Sequence, residues 1–214
     1  MERMKESSCI INRPGGFEIT DRAISLCSFN KEARILDLGC GSGATVTYLS
    51  EKYGFEVYGI DINLHPGNEN KNLFRDSSEN ISFHTASMDG IIMECSFSLM
   101  EDQKKVLSEI NRVLKESGRL IITDMYARGE PARLTGPLGR LNTREEISSL
   151  LEKQNFVIEH FEDYTKSLQA TWGQMVMDKG SDTFYNSVGA NREELKRIKC
   201  GYYMIVACMK GESA

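Results

Sequence analysis

Apolar and polar residues follow two different periods along this chain. Short apolar runs, each bounded by charge or glycine, read as buried strands. They are Ala33–Gly39 (ARILDLG), Phe55–Ile62 (FEVYGIDI), Ile81–Ala86 (ISFHTA), Gly90–Ser96 (GIIMECS), Arg119–Tyr126 (RLIITDMY), Phe156–Tyr164 (FVIEHFEDY) and Gly201–Lys210 (GYYMIVACMK). Helical spacing fills the gaps. Val46, Leu49 and Tyr53 mark one face of Ala44–Tyr53, which Gly54 stops. Val106, Leu107, Ile110, Val113 and Leu114 form the stripe of Glu101–Lys115, opened by Glu101 and Asp102 and closed by Gly118. Thr143 and Glu146 make a capping box ahead of Ile147, Leu150 and Leu151. Lys166–Met177 and Arg192–Ile198 complete the helices. Asn63–Asn80 and Gly129–Arg140 lack either period and read as loops, the first with a turn of helix near Leu73–Phe74. Strand alternating with helix predicts an α/β fold: a mostly parallel sheet with helices on both faces.

Composition narrows the function classes. A chain of 214 residues is one domain, and 40% hydrophobic with 27% charged residues is globular composition. A net charge of −5 without a basic block argues against nucleic-acid binding. No apolar run reaches the ~20 residues that span a bilayer, and residues 1–16 hold no signal-like stretch, so a cytoplasmic location without membrane attachment is expected. Cys9, Cys27, Cys40, Cys95, Cys200 and Cys208 form no C-x-x-C pair and are expected as reduced thiols. His65, His84 and His160 fall on separate elements, so no metal site is expected.

The chemistry concentrates at Asp37-Leu-Gly39-Cys40-Gly41-Ser-Gly43, where the first strand turns into the first helix. Glycines there let a ligand approach the backbone, and the helix amides favour an anionic or polar group. Asp37 adds a carboxylate that suits a cationic ligand group. Asp61, at the end of the second strand, suits the hydroxyls of a ribose. Gly39, Gly41 and Ala44 also satisfy the loose dinucleotide pattern, which keeps a nicotinamide-dependent enzyme as an alternative. Asp37 would then set negative charge beside the pyrophosphate.

In combination, ILDLGCGSG, YGIDI and EINRVLKESGRLIITD resemble the motifs of class I S-adenosylmethionine-dependent methyltransferases over roughly residues 12–160. The resemblance implies a Rossmann-like, doubly wound, three-layer α/β/α fold whose seven-stranded sheet has its last strand antiparallel. It implies a single domain: an N-terminal helical cap (1–30), a cofactor-binding core (31–165), and cap helices with a final strand (166–214). It implies S-adenosylmethionine as cofactor and S-adenosylhomocysteine as product. Gly39, Cys40 and Gly41 would line the methionine part, Asp37 its amino group, and Asp61 with Ile62 the nucleoside. Glu94 and Cys95 would face the reactive end, and Arg13–Phe17 would fold over the pocket.

Two features depart from the pattern. HTASMDG joins the third strand to the fourth almost directly, leaving Ala86 and Ser87 as the adenine contacts. That short link favours a second alternative, a non-catalytic partner protein on the same fold. Within that superfamily the chain resembles small-molecule enzymes of the arsenite and ubiquinone-biosynthesis type; IIMECSFSLMEDQKKVLSEINRVLK resembles the arsenite enzymes in particular, with Cys95 where an arsenic-binding thiolate sits, yet the loop after the fifth strand has no cysteine. The expected acceptor is therefore another small molecule, with Trp172, Met175 and Met177 as an apolar wall. His84, Glu94, Asp124 and Tyr126 are the available bases, and none forms a catalytic motif.

Overall fold

Neighbouring residues of a strand face opposite sides of a sheet, and strand β1 (Arg34–Leu38) displays the consequence. Ile35 joins a core with Val46, Leu49 and Val57, whereas Leu36 joins another with Met93, Leu107 and Ile110. The computed structural model describes residues 13–65 and 67–211; Cys9 and the first part of the expected N-terminal cap lie outside them.

Helix α1 (Gly16–Cys27) precedes β1, and α2 (Ala44–Tyr53) links it to β2 (Glu56–Ile60). Then come β3 (Leu73–Phe74), β4 (Met88–Glu94), α3 (Gln103–Val113), β5 (Leu114–Ala127), the short strands β6 (Ala132–Arg133) and β7 (Arg140–Leu141), and α4 (Arg144–Lys153). Strand β8 (Phe156–Asp163), α5 (Thr165–Lys179), α6 (Ser181–Val188), α7 (Arg192–Ile198) and β9 (Cys200–Met209) complete the order. Seven strands form one sheet in the order β3-β2-β1-β4-β5-β9-β8. Among the described strands of this sheet, β9 alone runs against its neighbours, β5 and β8. The expected Rossmann-like sheet with an antiparallel last strand is what the chain forms.

Helices α1, α2 and α5 cover one face, and α3 and α4 the other. Local chemistry explains the ends. Asp102 caps α3 by accepting the Lys104 and Lys105 amides at 3.1 Å, and Thr143 and Glu146 close the predicted capping box on α4. A third apolar cluster, with Leu138, Leu141, Phe184, Val188 and Ile198, joins the β6–β7 hairpin to α6 and α7 above the sheet. Among the described residues no helix is long and apolar enough to cross a membrane.

Three expectations need correcting. Residues 81–86 are not a strand, because side chains capture their backbone: Glu109 accepts the Ile81 amide, Asp76 accepts the Ser82 amide, and Arg112 donates to the Ile81 and Phe83 carbonyls. The third strand is instead β3, inside the expected loop, so the link to β4 is residues 75–87 and not a short one. Helix α3 ends at Val113, well before Gly118, since the Ala86 and Ser87 amides take the Arg112 and Val113 carbonyls. Helix α6 lies outside every predicted element; SDTFYNSV is short and rich in residues with weak helix preference.

Candidate active site

The carboxyl ends of β1, β2, β4 and β5 lie side by side, where ligands of open α/β sheets bind. The turn after β1 must reverse tightly. Gly39 has φ +77°, and a Cβ there would sit 2.6 Å from the Ser96 Cβ, so only glycine fits. The Gly39 and Cys40 amides both donate to the Ile60 carbonyl, at 2.8 and 3.1 Å. The Gly41 amide donates to Asp61 Oδ2 at 2.9 Å, and the Asn63 amide to Asp61 Oδ1 at 2.7 Å. Asp61 thereby fixes the turn to β2. The first amides of α2 have no partner within their own helix and point toward the turn.

Asp37 is 3% exposed, and among the described residues no side chain or amide donates to it. Burial drives its carboxyl well above the usual range, and Glu94 adds to this while Arg13 opposes it. Glu94, at the end of β4, is by contrast fully engaged. It pairs with Arg13 and accepts the Thr20 and Thr45 hydroxyls, each at 2.7 Å. The Arg13 guanidinium also donates to Thr45 Oγ1 and Thr20 Oγ1 and lies 4.7 Å from the centre of the Phe17 ring. Phe17 in turn stacks on Tyr48. This fixes Arg13–Phe17 across one side of the site.

A cavity of about 370 Å³ opens between these groups and the upper apolar cluster. Asp37, Gly39, Cys40, Gly41, Thr45 and Glu94 line one wall; Leu99, Met125, Leu138, Trp172, Met175 and Val188 line the other. Cys95 sits between the walls in a left-handed backbone conformation, φ +53°, with Sγ 3.2 Å from the Tyr202 hydroxyl. Burial pushes its thiol up to about 12.

Five of the predicted cofactor residues therefore share the cavity: Asp37, Gly39, Cys40, Gly41 and Glu94. Asp61 stands behind the turn, and Ile62 beside it is 59% exposed. Ser87 is misplaced as a cofactor contact. It immediately precedes β4, at the opposite end of that strand from Glu94, and its hydroxyl donates to the His84 carbonyl. The error follows from the misread third strand; the residues at the carboxyl end of the true one are Arg75, Asp76 and Ser77. Of the candidate bases, His84 lies near Ser87, Asp124 is enclosed by Ser98, and Tyr126 donates to Asp163 at 2.5 Å. Met177 is 82% exposed and leaves the apolar wall to Trp172 and Met175. Sequence reasoning missed Leu138 and Val188, whose helical or loop settings carried no period to read. Among the described residues no cluster of histidine, cysteine, aspartate or glutamate could hold a metal ion.

Residues 36–122 match the model of the methyltransferase domain family. The phosphoethanolamine N-methyltransferase of Plasmodium falciparum is 25% identical over 189 residues, covering 81% of this chain and 66% of that protein. The sarcosine/dimethylglycine N-methyltransferase of Halorhodospira halochloris is 25% identical over 191 residues, covering 79% and 68%. Among solved structures, the Haemonchus contortus phosphoethanolamine N-methyltransferase 2 bound to phosphomonomethylethanolamine and S-adenosylhomocysteine superposes with a TM-score of 0.71. It is 19% identical, with 93% of this chain and 54% of that chain covered. The chain thus spans about half to two thirds of the length of these relatives. The family model thus covers the first part of the sheet, β1 to β5, and the solved structures share the fold.

Proposed function

We propose that this chain is a class I S-adenosylmethionine-dependent methyltransferase and transfers a methyl group from S-adenosylmethionine to a small-molecule acceptor. The observation that carries the reading is Asp37, whose carboxyl lines the cavity and receives no donor among the described residues. A carboxylate at the cavity wall attracts a cationic group, and the amino group of the cofactor's methionine part is such a group.

The other residues fit the same ligand. Gly39, Cys40 and Gly41 let the methionine part lie against the backbone, and the α2 amides take its carboxylate. Each Asp61 oxygen accepts one amide and keeps capacity for a ribose hydroxyl. The exposed Ile62 offers an apolar face to adenine, and Asp76 with Ser77, in place of Ser87, borders its edge. Residues 31–165 serve as the cofactor-binding core, with the later helices as its cap. The cofactor supplies an electrophilic methyl group, so the protein's task is alignment and exclusion of water. Glu94 and Arg13 close one side of the reacting space, and Cys95 borders it.

The link of residues 75–87 removes the reason to regard the adenine side as degenerate, and Asp37 disfavours a dinucleotide pyrophosphate. Calorimetric titration with S-adenosylhomocysteine, and with NAD as control, tests the proposal. Micromolar binding of S-adenosylhomocysteine with NAD at least 100-fold weaker is expected. A folded protein that binds neither compound, or NAD alone, overturns it.

A further inference from the structure

Resting on the cofactor reading above, we infer that the methyl acceptor is an uncharged, apolar molecule whose reacting atom already presents a lone pair. Three observations converge on this.

The first is the wall that faces the cofactor side. Leu99, Met125, Leu138, Trp172, Met175 and Val188 make it almost wholly apolar. Its one hydroxyl, on Ser187, donates to the Phe184 carbonyl and is occupied. The second is charge. Among the described residues the cavity lining holds one cation, Arg13, and Glu94 neutralises it. The guanidinium is further spent on two threonine hydroxyls and the Gly16 carbonyl. A phosphate or carboxylate entering this space would lose its water without gaining a counter-charge. The similar enzymes named above for phosphoethanolamine and sarcosine handle acceptors of that anionic kind, so this wall marks a different choice.

The third observation concerns protons. Asp37 faces the proposed ammonium group, and Glu94 is held by Arg13, Thr20 and Thr45. The Cys95 thiol keeps its proton at neutral pH. Burial likewise raises the Cys40 thiol, so among the described residues no lining group is free to deprotonate an acceptor. A neutral sulfide, tertiary amine or ring nitrogen needs no such help. Its lone pair forms the new bond to carbon as the carbon–sulfur bond breaks, the electron pair of that bond passes to sulfur, and the positive charge moves to the acceptor. The Trp172 ring in the same wall suits the cation so formed.

The test uses the full chain saturated with S-adenosylhomocysteine, whose own binding is measured first. Thioanisole, isoquinoline and N,N-dimethylaniline are then titrated calorimetrically against phosphoethanolamine and sarcosine. At least one neutral compound is expected to bind ten-fold or more tightly than either anion-bearing one. Equal or tighter binding of phosphoethanolamine or sarcosine overturns the inference, and so does failure of all three neutral compounds. Failure of S-adenosylhomocysteine itself overturns the cofactor reading and this inference with it. Met175→Lys, checked for retained S-adenosylhomocysteine binding, is expected to weaken the neutral compound at least ten-fold. Unchanged affinity places that compound outside the cavity and overturns the assignment.

Discussion

Two carboxyl groups are buried at the carboxyl side of the same sheet, and they live in opposite surroundings. Asp124, on β5, is 1% exposed and is ringed by donors: the Ser98 amide at 2.7 Å, the Ser98 hydroxyl at 3.0 Å and the Met125 amide at 2.7 Å. Asp37, on β1, is nearly as buried and receives no donor from the described residues. Burial raises both. Asp124 reaches only about 6 because its hydrogen bonds resist the rise, whereas Asp37 is driven well above its usual range. A satisfied buried carboxylate holds a loop in place; an unsatisfied one beside a cavity waits for a ligand. Glu94 shows that position alone does not decide. It lines the cavity with Asp37 yet is as fully partnered as Asp124.

Substitutions should separate these roles. The largest effect is expected from Arg13→Ala, which strands Glu94: about 3–5 kcal/mol of stability, the usual loss when a buried pair is broken from one side, read by urea denaturation. A loss under about 1 kcal/mol would show the pair to be solvated. Asp37→Asn comes next. It should weaken S-adenosylhomocysteine by about 10- to 100-fold, as for a charged hydrogen bond, while leaving the unliganded melting temperature unchanged or higher. Asp124→Asn should reverse that pattern, costing about 1–2 kcal/mol of stability with cofactor affinity within about two-fold of the parent. If both variants lose affinity alike, the contrast between the two carboxyls collapses.

The smallest effect is a pH dependence. The folded protein binds a proton on Asp124 more tightly than the unfolded chain does, about 6 against 3.8. Stability should therefore rise as pH falls from about 6 toward 4, by roughly 1–3 kcal/mol at most. Asp37 contributes with the same sign in the unliganded protein. Saturation with S-adenosylhomocysteine should remove that share and leave the part due to Asp124, which Asp124→Asn in turn abolishes. Denaturation curves across this range, with and without ligand, check both statements.

The sequence made the central strands legible because their apolar runs are buried on both faces. It also marked the β1 turn, since its glycines and Asp37 stand at fixed places on that strand. The outer parts were harder. Strand β3 is two residues long within a polar stretch, while ISFHTA looked like a strand although Glu109, Asp76 and Arg112 hold its backbone. That single exchange is why Ser87 was expected at the carboxyl ends of the strands, although it precedes β4. Partnerships that cross from α1 to β4, such as Thr20 with Glu94, leave no trace in local spacing, since 74 positions separate the two residues. The far wall of the cavity was half visible: Trp172 and Met175 showed as an apolar stripe, but Leu138 and Val188 joined it only through the tertiary fold.

Strand β9 fills the gap between β5 and β8, with Gly201–Ala207 buried throughout. During synthesis, β5 therefore leaves the ribosome as an apolar strand with one flank unpaired. Its partner starts roughly 70 residues later, about 4–14 s at ordinary elongation rates. For that interval the nascent chain carries an adhesive edge that the finished fold never shows. Its yield in a cell should consequently respond to translation speed and chaperone supply more than its equilibrium stability would suggest.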